Sequence, residues 1–179
     1  MPRVQKGASH EEALDEQSAV ACRRAVIRAR REGEEEGLQP LRATIQASEE
    51  FIPTGQPGVF DVVITGTGQG NLFGNLTFSA TETIDFVSSP GTAVVTNGEF
   101  VITASDGSQL FATYTGTGVP DPDNPGFFIG EATATITGGT GRFECASGTV
   151  PFSLYIDVAN LTETITFDSY AALIGEDCS

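Results

Sequence analysis

The sequence predicts an all-β protein that folds as a single, closed, eight-stranded antiparallel β-barrel. From about residue 41 the chain is dominated by threonine, valine, phenylalanine and glycine, which favour strands and turns. Turn signals recur at short intervals and separate eight runs of strand-forming residues. Consecutive strands joined by short turns form an antiparallel meander, and such a sheet removes its exposed edges by closing on itself.

Residues 1–40 are predicted to be an N-terminal arm, helical or disordered, that precedes a barrel domain at 41–179. Residues 11–32 place acidic side chains early and arginines late, as a helix dipole prefers, but their apolar positions are mostly alanine. Gly33, Gly37 and Pro40 then break the helical pattern. The arm is therefore expected to contribute little to the core.

Eight strands are expected in the barrel domain, bounded by glycine, proline, serine and aspartate. Residues 105–108, Ser-Asp-Gly-Ser, predict a tight hairpin turn, and the Gly-Gly-Thr-Gly run at 138–141 predicts a strand reversal. The expected strands are 42–52, 59–68, 72–87, 92–105, 109–118, 127–137, 143–158 and 161–174.

Alternation within the strands predicts which side chains face the interior. Leu76, Phe78, Ala80, Ile84 and Phe86 share one face of their strand, and Val150, Phe152, Leu154, Ile156 and Val158 share one face of theirs. Many positions on both faces are small, so an interior cavity is expected rather than a fully packed barrel.

The charge distribution excludes several classes of function. Residues 41–179 contain two basic and sixteen acidic side chains, and so carry −14 of the total charge of −15. A surface this acidic repels nucleic acid phosphates and anionic lipid headgroups. The single histidine is His10 and the last lysine is Lys6, which removes His-dependent catalysis, His-ligated zinc and Schiff-base chemistry from the barrel. No metal or other cofactor is predicted.

Glu82 breaks the apolar pattern of its strand, because it lies on the same face as Ala80 and Ile84. A carboxylate on an inner face has to be paired, protonated or in contact with water, which makes Glu82 a candidate catalytic acid in a pocket. The alternative is that the faces are reversed and Glu82 points outward. Glu163, beside Ile165 and Phe167, poses the same question.

Arg142 is the second catalytic candidate, because it is the only basic residue after Arg42. It would anchor a ligand carboxylate or enolate at the barrel mouth. The alternative is a structural ion pair with Glu144 or another acidic residue of a turn. The candidate ligand contacts are Phe78, Tyr114, Glu131, Phe152 and Glu163.

The cysteines and the apolar segments indicate where in or outside the cell the protein could be located. A disulfide between Cys145 and Cys178 would tie down the last strand and indicate an oxidising compartment, whereas two unpaired thiols are the alternative. No apolar run reaches the ~18 residues of a membrane-spanning helix. Residues 1–40 lack the apolar core of a signal peptide, so a cytoplasmic location stays open.

The run from 138 to 148, Gly-Gly-Thr-Gly-Arg-Phe-Glu-Cys-Ala-Ser-Gly, has the form GGTGxFxxAxG. It resembles the glycine-rich signature of dirigent proteins and of allene oxide cyclases, and residues 41–179 are similar to small, largely uncharacterised bacterial proteins of this barrel group. The resemblance implies an eight-stranded barrel around a hydrophobic cavity, secretion or display at the cell surface, and a homo-oligomer, either a dimer or a trimer.

These observations together predict a barrel that binds a small apolar ligand. If it is an enzyme, it is a cofactor-independent cyclase (an isomerase) or a dirigent-like template that acts by restricting the conformations of its ligand. The rival prediction is a non-catalytic secreted or surface barrel that serves stability or protein contact.

Overall fold

The computed structural model describes residues 38–173, and within them the chain forms one closed antiparallel β-barrel. Each strand pairs with the next along the chain, and the last pairs with the first. The predicted fold class is therefore confirmed. The strands are β1 (Leu38–Pro53), β2 (Val59–Gly70), β3 (Gly74–Asp85), β4 (Ala93–Ala104), β5 (Gln109–Pro120), β6 (Phe127–Gly139), β7 (Ser147–Asp157) and β8 (Thr162–Leu173).

The strand bounds differ from the prediction mainly at two places. β1 begins at Leu38, three residues before the predicted domain start, and the rest of the predicted arm lies outside the described residues. The strand predicted at 143–158 begins only at Ser147, because Gly141–Phe143 forms a 3-10 turn and the amide of Ala146 donates to the carbonyl of Phe143 at 2.9 Å. The predicted hairpin turn at 105–108 is confirmed by two backbone hydrogen bonds of 2.9 Å. The amide of Gly107 donates to the carbonyl of Ala104, and the amide of Ala104 donates to the carbonyl of Ser108.

The meander gives the barrel two different ends. We call the end with turns 71–73, 105–108 and 140–146 the closed end, and the end with turns 54–58, 86–92, 121–126 and 158–161 the open end. At the closed end Phe73 and Phe143 are completely buried, and their ring centroids lie 5.3 Å apart. These two rings plug the barrel there.

The middle of the barrel is filled by an aromatic cluster, which we define as Phe78, Phe100, Tyr114, Phe152 and Phe167. Each member contacts at least one other with ring centroids between 4.9 and 6.2 Å apart. All five side chains are buried, and two of them, Phe78 of β3 and Phe152 of β7, lie on the inner faces predicted for those strands. Burying side chains of this size is the main source of stability in a barrel of this length.

Candidate functional site

A cavity of about 410 Å³ lies between the aromatic cluster and the open end. Its volume is within the range of small-molecule sites in proteins. The carboxyl groups of Glu49, Glu82 and Glu163 line it. Most of the other wall residues are apolar: Phe51, Phe60, Ile84, Phe86, Ala93, Val95, Phe128, Leu154, Ile156, Val158 and Leu161.

Strand alternation places all three glutamates inside the barrel. Glu163 is 3% exposed, Glu49 is 8% exposed, and Glu82 is partly buried. The inward orientation proposed for Glu82 and Glu163 is confirmed, and the reversed-face alternative is wrong. Glu49 was missed by the sequence analysis, although it stands between the inward positions Ala47 and Phe51 of β1 and breaks their apolar alternation.

Tyr114 holds Glu82 in place. Its hydroxyl donates a hydrogen bond to Oε2 of Glu82 at 2.6 Å. A β-bulge lies beside this pair, because two residues of β4, Asn97 and Gly98, lie opposite the single residue Glu82 of β3. Asn97 has a positive φ of 55°, which asparagine tolerates better than most residues. The bulge therefore shapes the wall where the acid and the phenol meet.

Burial raises the pKa of all three carboxyl groups. The pKa of Glu163 lies well above its usual value because of burial first, and then because of repulsion by Glu49 and Glu82. Burial, followed by repulsion from Glu82, raises the pKa of Glu49 to about 7. Burial also raises the pKa of Glu82, although the hydrogen bond from Tyr114 acts in the opposite direction. These carboxyl groups therefore keep their protons to a higher pH than a solvent-exposed glutamate does.

One oxygen of the site has no hydrogen-bond partner. Oε1 of Glu163 is buried, and no described residue donates to it. Burying a polar atom in this state costs free energy, typically about 1–3 kcal/mol. This oxygen can therefore accept a hydrogen bond from a ligand in the cavity, or donate one if it carries the proton of the carboxyl group.

Leu161 lies at the mouth of the cavity in a strained conformation. Its φ is 52°, in the left-handed region that costs a leucine roughly 1 kcal/mol. Its carbonyl accepts a hydrogen bond from the amide of Glu49 at 2.9 Å, which fixes the β7–β8 turn to β1. The leucine side chain, 40% exposed, forms part of the cavity rim.

The structure places Arg142 far from this cavity, at the closed end. Its guanidinium forms an ion pair with Asp106 and donates to the carbonyl of Leu72 at 2.7 Å. It also lies over the ring of Phe143, 4.9 Å from the centroid. Arg142 therefore lies at the plugged end of the barrel and not beside Glu82, and the alternative, an ion pair with an acidic turn residue, is confirmed.

The remaining candidate contacts divide between the cavity and other places. Glu163 lines the cavity, whereas Phe78, Tyr114 and Phe152 belong to the aromatic cluster beneath it. Glu131 is exposed and lies on the outside of the barrel, beside a shallow groove of about 540 Å³.

Gly98 should tolerate no side chain, because a Cβ added there would lie 2.7 Å from the ring of Tyr114. We expect Gly98→Ala to displace this ring, weaken its bond to Glu82 and lower the free energy of unfolding by about 1–3 kcal/mol. Chemical denaturation of the two proteins measures this difference. In the matched variant Gly118→Ala, the nearest atoms are 3.8 Å from the added Cβ, so stability should change little. Equal losses in both variants would contradict the steric argument.

Cys145 follows the 3-10 turn, and no free cysteine is found among the described residues. Cys178 lies outside them, so the pairing of these two cysteines stays a prediction. Within residues 38–173, no group of three or more acidic, histidine or cysteine side chains is placed to hold a metal ion. No helix in the same range is long and apolar enough to cross a membrane.

The fold and the site define a closed eight-stranded barrel whose open end contains an apolar, acid-lined cavity. Comparison of the chain with protein-family models, curated proteins and solved structures finds no match. The resemblance to allene oxide cyclases and dirigent proteins therefore rests on the run at 138–148 alone and remains a proposal. The structure assigns that run to the β6–β7 turn and the plug at the closed end.

Proposed function

We propose that the protein binds a small, mostly apolar molecule in the cavity at its open end. The observation that carries this proposal is the combination of apolar walls with buried carboxyl groups, one of which has an unsatisfied oxygen. A few polar groups within a largely apolar pocket are typical of small-molecule sites, where they orient the ligand.

The enzymatic form of this proposal is a cofactor-independent cyclase or a dirigent-like template. The cavity would hold a flexible ligand in one conformation, and a carboxyl group with a raised pKa would supply or accept a proton. Glu82 suits this task because Tyr114 fixes its orientation. Arg142, at the closed end, has no part in it.

Binding is testable with the neutral fluorescent probe N-phenyl-1-naphthylamine and the full chain. We expect saturable fluorescence enhancement with one probe per chain. Ala93→Phe should abolish it, because Ala93 lines the cavity and a phenylalanine there fills the space that the probe needs. Fluorescence titration of each variant measures the change.

Two controls accompany this titration. Thr96→Phe adds the same ring to the exposed face of the same strand, and Arg142→Gln alters the closed end, so both should leave probe binding unchanged. Binding that survives Ala93→Phe but is lost in Thr96→Phe would place the probe on the outer surface and overturn the proposal.

The second candidate is a barrel that serves protein contact, including contact with further copies of this chain. It is favoured by a row of exposed apolar side chains on the outer surface, where Val119 pairs with Ile129 and Ile129 pairs with Tyr155. Failure of the wild-type protein to bind the probe would favour this candidate over the first.

A further inference from the structure

We propose that the cavity selects apolar molecules that carry one basic amine, which it binds as an ammonium ion among Glu49, Glu82 and Glu163. This inference rests on the proposed function and names the class of ligand. Three lines of observation support it: the convergence of three acidic groups, the location of the described cations, and the chemistry of the cavity walls.

The three carboxyl groups come from separate strands, β1, β3 and β8, and reach the same cavity. Oε1 of Glu163 is buried there without a partner among the described residues, and its side chain is 3% exposed. An ammonium group has three N–H donors and no acceptor, so it can satisfy several carboxylate oxygens at once. An ammonium donor would thus supply the hydrogen bond that Oε1 of Glu163 does not receive from any described residue.

No described side chain supplies a positive charge at this cavity. Arg42 pairs with Asp168 on the outer surface at 3.1 Å, and its backbone amide donates to Asn71 of a closed-end turn. Arg142 pairs with Asp106, also at the closed end. A ligand cation would therefore supply a charge that the described part of the barrel does not bring to the cavity, whereas a ligand carboxylate would be repelled.

The walls favour an organic amine over a metal ion. The described acidic side chains are not grouped to hold a metal. Towards the mouth, the rings of Phe51, Phe60 and Phe86 form a row of edge-to-face contacts, with centroids 5.7 and 6.3 Å apart. These rings can cover an alkyl or aryl body while the amine reaches the carboxyl groups below.

Binding of an ammonium ion should release protons, because it favours the ionised form of the carboxyl groups. The titratable groups that meet here are Glu49, Glu82, Glu163 and Tyr114, and β2, which lies between β1 and β3, contributes the apolar residue Phe60 to the wall. The pKa of Tyr114 is raised by burial and then by Glu82, so the phenol keeps its proton throughout. Since the pKa of Glu49 is about 7, affinity for the amine should rise from pH 5 to 8. The affinity falls again at about pH 10, where the amine loses its own proton.

Three ligands with the same chain and different head groups test the selectivity: octylamine, octanol and octanoate. Calorimetry with the full chain at about pH 8 should show octylamine binding about tenfold or more tighter than octanol, with no binding of octanoate. Glu163→Gln should reduce the affinity for octylamine about tenfold and leave that for octanol unchanged. The exposed Glu131→Gln, which removes a charge from the outer surface, should change neither.

The outcomes separate this inference from the proposed function. Equal affinities for octylamine and octanol, or tighter binding of octanoate, would overturn the amine selectivity while the barrel remains a binder of apolar molecules. Absence of binding by all three ligands and by the fluorescent probe would overturn both proposals. If Glu163→Gln does not fold, wild-type calorimetry in two buffers of different ionisation enthalpy at about pH 6.5 still decides, since the carboxyl groups of the protein must release protons when octylammonium binds. Binding without proton release would contradict the inference.

Discussion

The protein should lose stability as the pH rises from about 4.5 to about 8, because its buried glutamates must ionise inside the barrel. Burial raises the pKa of Glu49 from 4.5 to about 7. A carboxyl group with a raised pKa binds more protons in the folded state than in the unfolded state, so its stabilising contribution is complete below the unfolded pKa and is lost as pH passes the folded pKa. Glu49 alone accounts for about 3 kcal/mol over this range. Glu82 and Glu163 act in the same direction.

Glu49→Gln should therefore flatten the dependence of unfolding free energy on pH. At about pH 4 the variant and the wild type should be nearly equal in stability, and at about pH 8 the variant should be more stable by up to about 3 kcal/mol, since it has no charge to bury. Urea denaturation at a series of pH values measures both curves. Glu131→Gln removes a charge of the same sign from the exposed surface and controls for the general repulsion in this acidic chain. Parallel curves for wild type and Glu49→Gln would show that Glu49 is not buried in the folded state.

Acidification below about pH 4 should destabilise the fold again, which gives stability a maximum near pH 4–5. The pKa values of aspartates at the turns are lowered, whereas those of the cavity glutamates are raised. At the start of the β3–β4 turn, Oδ1 of Asp85 accepts hydrogen bonds from the amides of Ser88 and Val87, which lowers its pKa. The pKa of Asp157 is also lowered, first by the hydrogen bond from the side chain of Asn160 and then by those from the amides of Asn160 and Ala159. A carboxyl group with a lowered pKa stabilises the fold above its unfolded pKa, and this contribution is lost as the pH falls through the folded pKa.

The class of fold could be predicted from the sequence because its signals are local. Alternation in β3 and β7 and the turn at 105–108 each depend on a few adjacent residues, and their sum is an antiparallel meander. The separation of Arg142 from Glu82 could also have been predicted from the order of the strands in that meander. Successive turns lie at alternate ends, so the β6–β7 turn is opposite to the β3–β4 turn near Glu82. The sequence analysis named both residues as catalytic candidates without applying this rule.

The composition of the site could not be predicted, because it depends on the register between strands. Glu49 and Glu163 meet because β1 pairs with β8 so that Ala47 lies opposite Glu163. The bulge at Asn97 and Gly98, which shifts the pairing of β4 on both sides, has no local signal strong enough to predict it. Nor does alternation show which inward residues form a packed layer and which border a cavity.

The largest loss of stability from a single substitution is expected for Phe100→Ala. Phe100 contacts four members of the aromatic cluster and is 4% exposed. Removing its ring leaves a void in the middle of the barrel and should lower the free energy of unfolding by about 3–5 kcal/mol. Tyr114 packs on this ring at 5.8 Å, so the variant should also loosen the group that orients Glu82. Urea denaturation measures the loss of stability.

Phe86→Ala is the matched control, because it removes the same ring from the rim of the cavity, where Phe86 is 39% exposed. Its unfolding free energy should fall by about 1 kcal/mol or less, since its ring already contacts solvent and leaves no closed void. The two variants should also differ in binding N-phenyl-1-naphthylamine. Phe86→Ala removes part of the apolar wall and weakens binding, whereas Phe100→Ala extends the cavity downward and leaves room for the probe. Similar losses of stability in the two variants would mean that the aromatic cluster does not fill the barrel, and that the cavity continues past Tyr114 to the closed end.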